Sequence, residues 1–546
     1  MEPIYHSYLQ SPILSVFAAL ILLSGFYQLG HIIFKNKIIK KIIFDVSDIK
    51  YQKILLSVNL ILLLLYPLVV INFYGRQILI AAAFILFFLG IFRIIIIFKN
   101  KNILKNKDIF RNKILNQNIN AYLIIFLIIG YFLLCIAPVT NADSLDYHLY
   151  VGKYLLKTGG YPTDLNYFHS RLSGAGEIIV AIGLAVGSEQ FGSLIQFSGL
   201  ISIFGILKKN KCNNIIYLAF LSSPILIFLI SSLKPQLFHI ASNALIFSIF
   251  IFKYQNKILT NKEYFFKILI ASIFLIVSVQ SKFSFVLSSA VLSCLIIFYS
   301  VNQKKLVKTI LVFLLFFLIF YIPPLIWKNI IFGGNILELL YLPISLNIHG
   351  YSNFIDMLRN VGHGAHYFWI FFPIGLKSIT QSLGLGSLFI FYLIYNYKRI
   401  KENFSVALIL IFILVSYFIG QNTARFFLEP FVWILLTIAL KKDLKFNKIF
   451  NNLIKVQSII VLGVILYGVL TLTSGILSKN LREKTLEKRA AGYSFFKWVK
   501  NELHDQKDRP VMYFHRQVGL SENILTAISM DFTYYNGDKP VTDIEH

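Results

Sequence analysis

The sequence predicts an all-α polytopic membrane protein of about 14 transmembrane helices, with interfacial helices in a first large outer loop and a small soluble α/β tail at the C-terminus. Three observations carry this prediction. Hydrophobic residues make up 57% of the 546 and charged residues only 14%, with a mean hydropathy of +0.70, which is far from the composition of a soluble globule of that length. Apolar runs of about 17 to 22 residues recur along the chain, each long enough as a helix to cross a hydrocarbon layer of ~30 Å. The basic residues that give the chain its net charge of +27 lie in short spacers between those runs, so they orient helices and do not form a nucleic-acid surface.

The elements follow in order. An apolar run over 11–34 has no basic segment before it and no small-residue cleavage site after it, and it is too long for a cleavable signal, so it reads as a retained helix. The spacers 35–53 and 99–113 carry six Lys or Arg each, and the turn 72–77 between them carries one. By the positive-inside rule the two spacers are cytoplasmic and the N-terminus is outside. Basic spacers at 208–211, 253–267, 304–308, 398–401 and 441–448 continue the pattern. The turns 72–77, 140–172, 232–235, 280–282, 327–382 and 420–425 alternate with them on the outer side.

One stretch, 177–207, is long enough for two crossings, whereas the flanking loops require an odd number. We assign 176–187 to an interfacial or re-entrant helix and 190–207 to the crossing. The last helix ends near Leu477. The tail 478–546 loses the membrane composition and reads as an amphipathic helix over 491–503 followed by a strand over 509–515. The chain then divides into N-terminal helices (1–119), a transmembrane core (120–477) with outer loops 140–188 and 327–382, and the tail (478–546). Cys135, Cys212 and Cys294 have no metal-type spacing and suggest neither a disulfide framework nor a zinc site.

The motif Asn141-Ala-Asp-Ser-Leu-Asp-Tyr-His148 opens the first outer loop where a membrane helix should meet water. Leu145, Leu149, Gly152 and Leu156 follow helical spacing, with Asp146, Tyr150, Lys153 and Lys157 on another face, and Gly159-Gly160-Tyr-Pro162 breaks the helix. Asp143, Asp146 and His148 therefore stand about one turn apart at the interface. A carboxylate there could take the proton of an attacking hydroxyl or amine, or hold a cation that offsets a phosphate. Alternatively, Asp143 is only the N-cap of the helix.

Lys234, Lys282 and Arg425 stand at outer helix ends, where a cation is costly and usually partnered. They suit a lipid phosphate, with Arg425 best placed to hold two of its oxygens, or else they snorkel to headgroups. Glu177 and Arg171 could pair with each other. His363 and His366, three apart in the large outer loop near Arg359, are a weak metal signal and otherwise contact an acceptor or serve as polar loop residues. Glu338 and Asp356 add carboxylates to that loop. No phosphate-binding glycine loop, dinucleotide fingerprint or paired Asp-x-Asp occurs, which argues against a soluble nucleotide-sugar donor.

Asp-x-x-x-Tyr after a membrane helix, then a surface helix, a Gly-x-Pro break and a second short apolar helix resembles the first outer loop of the GT-C membrane glycosyltransferases. Ser232-Leu-Lys-Pro-Gln236, Gln280-Ser-Lys-Phe283, Trp327-Lys-Asn-Ile-Ile-Phe-Gly-Gly-Asn335 and Gln421-Asn-Thr-Ala-Arg-Phe-Phe-Leu-Glu-Pro430 are similar to further elements of that superfamily. The likeness is to the bacterial protein mannosyltransferase and aminoarabinose transferase-like group. It runs from about residue 120 to the end, leaves the first three helices without a counterpart, and has Glu429 as an addition.

The resemblance implies transfer of a sugar from a polyprenyl-phosphate donor to a lipid, glycan or protein acceptor. It puts Asp143 in catalysis, with Asp146 a neighbour that has no certain counterpart, and Arg425, Lys282 and Lys234 on the substrate side; beside the resemblance, His148, Tyr147, Glu177, His363 and His366 are read as further substrate-side residues. It names no certain cofactor, leaves a divalent metal open, and expects membrane lipids and no nucleic acid as partners. Two other readings stay in view: a transporter or flippase of lipid-linked glycans, and an oligosaccharide polymerase or ligase. Richness in Ile, Lys and Asn points by association to a bacterium with an AT-rich genome, hence to the cytoplasmic membrane with both termini extracytoplasmic.

Overall fold

The computed structural model describes residues 11–99, 119–163, 170, 172–210, 212–251, 260–332, 386, 404–418, 424–439, 448–490, 492–494 and 497–498. Every regular element among the described residues is a helix. Nine of these are long and apolar enough to cross a membrane, and the chain is a multi-pass membrane protein.

The helices begin and end where local chemistry requires. Helix α1 (Pro12–Ile33) opens on a proline, whose missing N–H is no loss in a first turn. In α2 (Lys37–Val46) the Asn36 side chain caps the first turn by accepting from the Ile38 and Ile39 amides at 2.9 and 3.3 Å. Helices α3 (Ile49–Val70) and α4 (Gly75–Lys99) complete an N-terminal group. Gly25 of α1 lies on the Leu86 carbonyl and Gly90 of α4 on the Ile21 carbonyl, so each helix meets the other's backbone where a side chain would not fit.

After α5 (Ile119–Ile136), a five-residue π segment (Ser144–His148) leads into α6 (Leu149–Thr158), which stops at Gly159 in the left-handed conformation, φ 86°. Next come α7 (Gly176–Ala185), α8 (Phe191–Lys209), α9 (Asn214–Leu221), α10 (Ile225–Ile230), α11 (Leu237–Ile251), α12 (Asn261–Ser281) and α13 (Val286–Asn302). Pro224 separates α9 from α10. In α14 (Leu306–Phe332) a π segment over Phe317–Tyr321 ends two residues before Pro323, the first of two prolines whose missing N–H groups deprive the α-helical bonding of donors. Helices α15 (Phe404–Phe418), α16 (Ala424–Ala439), α17 (Lys448–Leu472) and α18 (Lys479–Arg489) follow.

Contacts sort the loops into the two sets that charge predicts. At one end Lys41 pairs with Glu263, Lys208 Nζ donates to the Tyr51 hydroxyl at 3.2 Å, and Lys209 sits 3.4 Å from the Phe44 ring centre. At the other, Ser15 Oγ donates to Gln190 Oε1 at 2.5 Å, the Leu233 amide to Ser144 Oγ at 2.9 Å, and Lys328 Nζ to the Ser173 carbonyl at 2.6 Å. Helices α4, α14 and α17 turn large apolar side chains such as Phe88, Leu311 and Leu470 outward, as lipid-facing helices do.

Several expectations change. All ten residues of α7 are buried, so protein encloses the segment read as interfacial or re-entrant. In the preceding helix Asp146 and Tyr150, expected on an exposed face, are buried, because α6 packs against both α7 and α4. Trp327 does not open a loop: α14 runs on to Phe332. The tail begins with α18, which the sequence reading left unassigned. The helix and strand expected over 491–503 and 509–515 lie largely or wholly outside the described residues, as does most of the loop over 327–382.

Candidate functional site

The site grows from the junction after α5. Asn141, not Asp143, caps the helix that follows: its Oδ1 accepts from the Ser144 amide at 3.2 Å and from Ser144 Oγ at 3.3 Å. Ser144 Oγ in turn accepts from the Leu233 amide and ties this loop to the segment before α11. The Asp143 side chain makes no capping bond. Its Oδ2 meets the ammonium of Lys234 and lies 3.7 Å from Arg425 Nη1. Lys234 is 1% exposed, whereas Asp143 and Arg425 are 27% and 23% exposed, so the pair opens to the surface on its Asp143 and Arg425 side.

Gln236 connects two further groups. Its Oε1 accepts from Lys282 Nζ at 2.9 Å and its Nε2 donates to the Arg425 carbonyl at 2.9 Å. Lys282 is placed by the break between α12 and α13. The Phe426 ring lies 5.7 Å from the Lys282 ammonium and 5.0 Å from the Arg425 guanidinium, an aromatic face that favours both cations. Burial, and after it the Arg425 charge, push the Lys282 ammonium well below the ordinary lysine range, with Glu177 acting the other way.

Beside this cluster His148 Nδ1 and Glu177 Oε1 are 2.9 Å apart, both buried. Glu177 Oε2 accepts from the Gly174 amide at 2.8 Å. The same turn is held by the Tyr161 hydroxyl on the Gly174 carbonyl (2.7 Å) and by the Ala175 amide on the Gln280 carbonyl (3.0 Å). Glu177 thus organises the entry to α7 and places His148. Arg171, its expected partner, lies outside the described residues.

The structure brings Asp143, Lys234 and Arg425 into contact and joins Lys282 to them through Gln236. Tyr147 is half-buried, its ring 4.0 Å from that of His148. Asp146 is 5% exposed and faces protein, which removes it from the open side of the site where a reacting carboxylate belongs. His363, His366, Arg359, Glu338 and Asp356 lie outside the described residues. Among the described residues no three His, Cys, Asp or Glu side chains group as metal ligands.

Sequence reasoning passed over Asn141, Gln236 and Lys328. Asn141 carries a signal, an Asx residue three positions before Ser144 at a helix start. Gln236 and Lys328 sit inside motifs quoted for other residues, and only the fold gives them partners. Chemically, two basic side chains meet one partly exposed carboxylate at one end of the bundle, and a third, Lys282, is held beside them by Gln236. That excess suits an anionic group such as a phosphate, and the carboxylate suits a proton acceptor.

A family model described as the DUF1420 N-terminal domain matches residues 93–486, well over half of the chain. The description assigns that family no activity. Searches of curated proteins and of solved structures return no match.

Proposed function

We propose that this chain, which belongs to the DUF1420 family, is an integral membrane glycosyltransferase that moves a sugar from a polyprenyl-phosphate-linked donor to a lipid, glycan or protein acceptor at the outer face. One observation carries the reading: the Asp143 carboxylate, relieved of capping by Asn141, faces Lys234 and Arg425, with Lys282 held beside them by Gln236. A base and an anion-binding set then share one partly exposed site.

In the mechanism this supports, the donor phosphate draws Arg425 and Lys282 to its oxygens, and Lys234 shifts its share of charge from Asp143. The acceptor O–H or N–H attacks the anomeric carbon while the bond from that carbon to the phosphate oxygen breaks. The proton passes to Asp143, and polyprenyl phosphate leaves with its charge stabilised by the cations. A single displacement inverts the anomeric centre. Tyr147 lines the acceptor side with the buried His148–Glu177 pair set behind it, and a divalent metal stays open as an addition from the loop with His363 and His366.

The membrane arrangement belongs to the same proposal. Counting the nine long helices with the α9–α10 pair, α11, α15 and α16, and one crossing read from the sequence over 383–397, gives about 14 spans. The positive-inside rule puts the site and both termini outside a bacterial cytoplasmic membrane, with an α/β unit completing the tail.

One observation favours a second reading, transport of a lipid-linked glycan: Glu429 is a carboxyl buried within the helical core, a feature common on transport pathways. Purified protein in liposomes loaded with labelled polyprenyl-phosphate sugar separates the two. Cleavage of the donor with release of polyprenyl phosphate supports transfer. Movement of intact donor between leaflets without cleavage rejects it in favour of transport.

A further inference from the structure

Four helices each send one polar side chain into a single hydrogen-bonded chain in the core, with Asn243 at its centre. Asn243 of α11 donates from Nδ2 to Glu429 Oε1 of α16 at 2.7 Å and to Ser288 Oγ of α13 at 3.2 Å. Its Oδ1 accepts from Ser278 Oγ of α12 at 3.3 Å. Glu429 is 4% exposed, and Asn243, Ser278 and Ser288 are fully buried. The Asn243 amide offers the carboxyl a donor. An ionised carboxylate at this depth needs a positive charge.

Among the described residues the chain supplies none. Arg425 stands one helical turn before Glu429, the spacing of a helix ion pair, yet its guanidinium is directed to Asp143. The other nearby titratable groups are also engaged away from the carboxyl: His239, one turn before Asn243, meets Ser278 Oγ through Nδ1 at 3.3 Å, and Lys282 is on Gln236.

We propose that Glu429, Asn243 and Ser288 form a binding site for a small monovalent metal cation of the sodium class, with Ser278 holding the Asn243 amide from its far side. The oxygens are hard ligands. Rotating the Asn243 amide turns its oxygen toward Glu429 and Ser288 and its NH2 toward Ser278, so one carboxylate, one amide oxygen and one hydroxyl face a common point while Ser278 holds the turned amide. One carboxylate balances a single positive charge, which selects a monovalent over a divalent ion. The bound cation also keeps Glu429 from competing with Asp143 for Arg425, one turn above. The site stands whether the outer cluster transfers a sugar or not.

Trp433 is one turn beyond Glu429 on α16, fully buried and stacked on Phe247 at 5.0 Å, and makes a built-in reporter. The test is a sodium titration of its fluorescence in nanodiscs at constant ionic strength and mildly alkaline pH, with choline as the replacement cation. The chain used has the other three of its four tryptophans, Trp327, Trp369 and Trp498, replaced by Phe. We expect a saturable change with sodium and none with choline, lost in Glu429→Gln. In Ser288→Ala the midpoint moves to about tenfold higher sodium, as for one lost ligand. Lowering the pH raises the midpoint as protons compete for the carboxylate. If the chain with Glu429 intact gives no sodium-dependent change, or if the change persists undiminished in folded Ser288→Ala and Asn243→Ala proteins, the site is not a metal-cation site and Glu429 carries only a proton.

Discussion

At the residue scale the account turns on a division of labour between neighbours. Asn141 caps and Asp143 does not, so the two side chains respond differently to change. Asn141→Ala should cost about 1 kcal/mol of stability, the usual loss for an N-cap, read as a lower unfolding temperature in detergent, and leave anion binding intact. Lys282 gives a pH signature. Its ammonium is held well below the ordinary lysine range by burial and Arg425. Between that lowered value and the ordinary one the unfolded chain holds more protons than the folded, so stability rises with pH there. As pH rises through that lowered value the folded site loses a charge, and affinity for a polyprenyl phosphate should fall. Lys282→Arg should keep the affinity flat, since a guanidinium stays charged. Equal pH slopes in the two proteins would contradict this assignment. Asp143, Lys234, Lys282 and Arg425 were legible in the sequence because a charge at an apolar helix end is conspicuous on its own. Gln236 and the Asn243–Glu429 chain were not, since a neutral amide acquires meaning only from the helix packed against it.

At the element scale the joints are set by single contacts. Helix α18 is fixed to the turn before α8 by Arg482, whose Nε and Nη2 donate to the two Glu189 oxygens at 3.1 and 2.7 Å, both side chains buried. Arg482→Ala leaves that carboxylate buried without its partner and should cost roughly 3–5 kcal/mol, whereas the double change Arg482→Met with Glu189→Leu should recover most of the loss. Thermal unfolding of the three proteins in detergent checks this, and a double variant no more stable than Arg482→Ala would refute it. The sequence showed neither α18 nor this pair, because the partners are almost three hundred residues apart and each looks like an ordinary surface charge. It did show where the first outer helix ends, since Gly159 in the left-handed conformation is a local requirement. The enclosure of α7 was hidden because an apolar run of ten residues has no periodicity that separates a lipid interface from a protein interior.

At the scale of the whole molecule, the distribution of lysine and arginine anticipated which loops meet. Contacts among 35–53, 208–211 and 253–267 lie at one end, and those among 140–175, 232–236, 280–282 and 425 at the other. The same rule predicts which end faces out. In a chain whose three cysteines are changed to serine, a cysteine at exposed Phe73 should react with a membrane-impermeant thiol reagent added to intact cells. One at exposed Lys40 should react only after lysis. The opposite pattern would invert the topology and put the Asp143 cluster inside. The 327–382 and C-terminal segments could be assigned from sequence only by composition, and acceptor recognition depends on such loops.

The central claim is that Asp143 carries chemistry on a lipid-linked sugar, and its most direct measurement is consumption of labelled polyprenyl-phosphate sugar by the purified protein in nanodiscs, with and without Asp143→Asn. The account predicts turnover by the unaltered chain and a loss of about 10²–10⁴-fold in the variant, with donor binding and unfolding temperature retained. Turnover undiminished in the variant, or donor bound by both proteins and consumed by neither across several sugars and acceptor extracts, would contradict it.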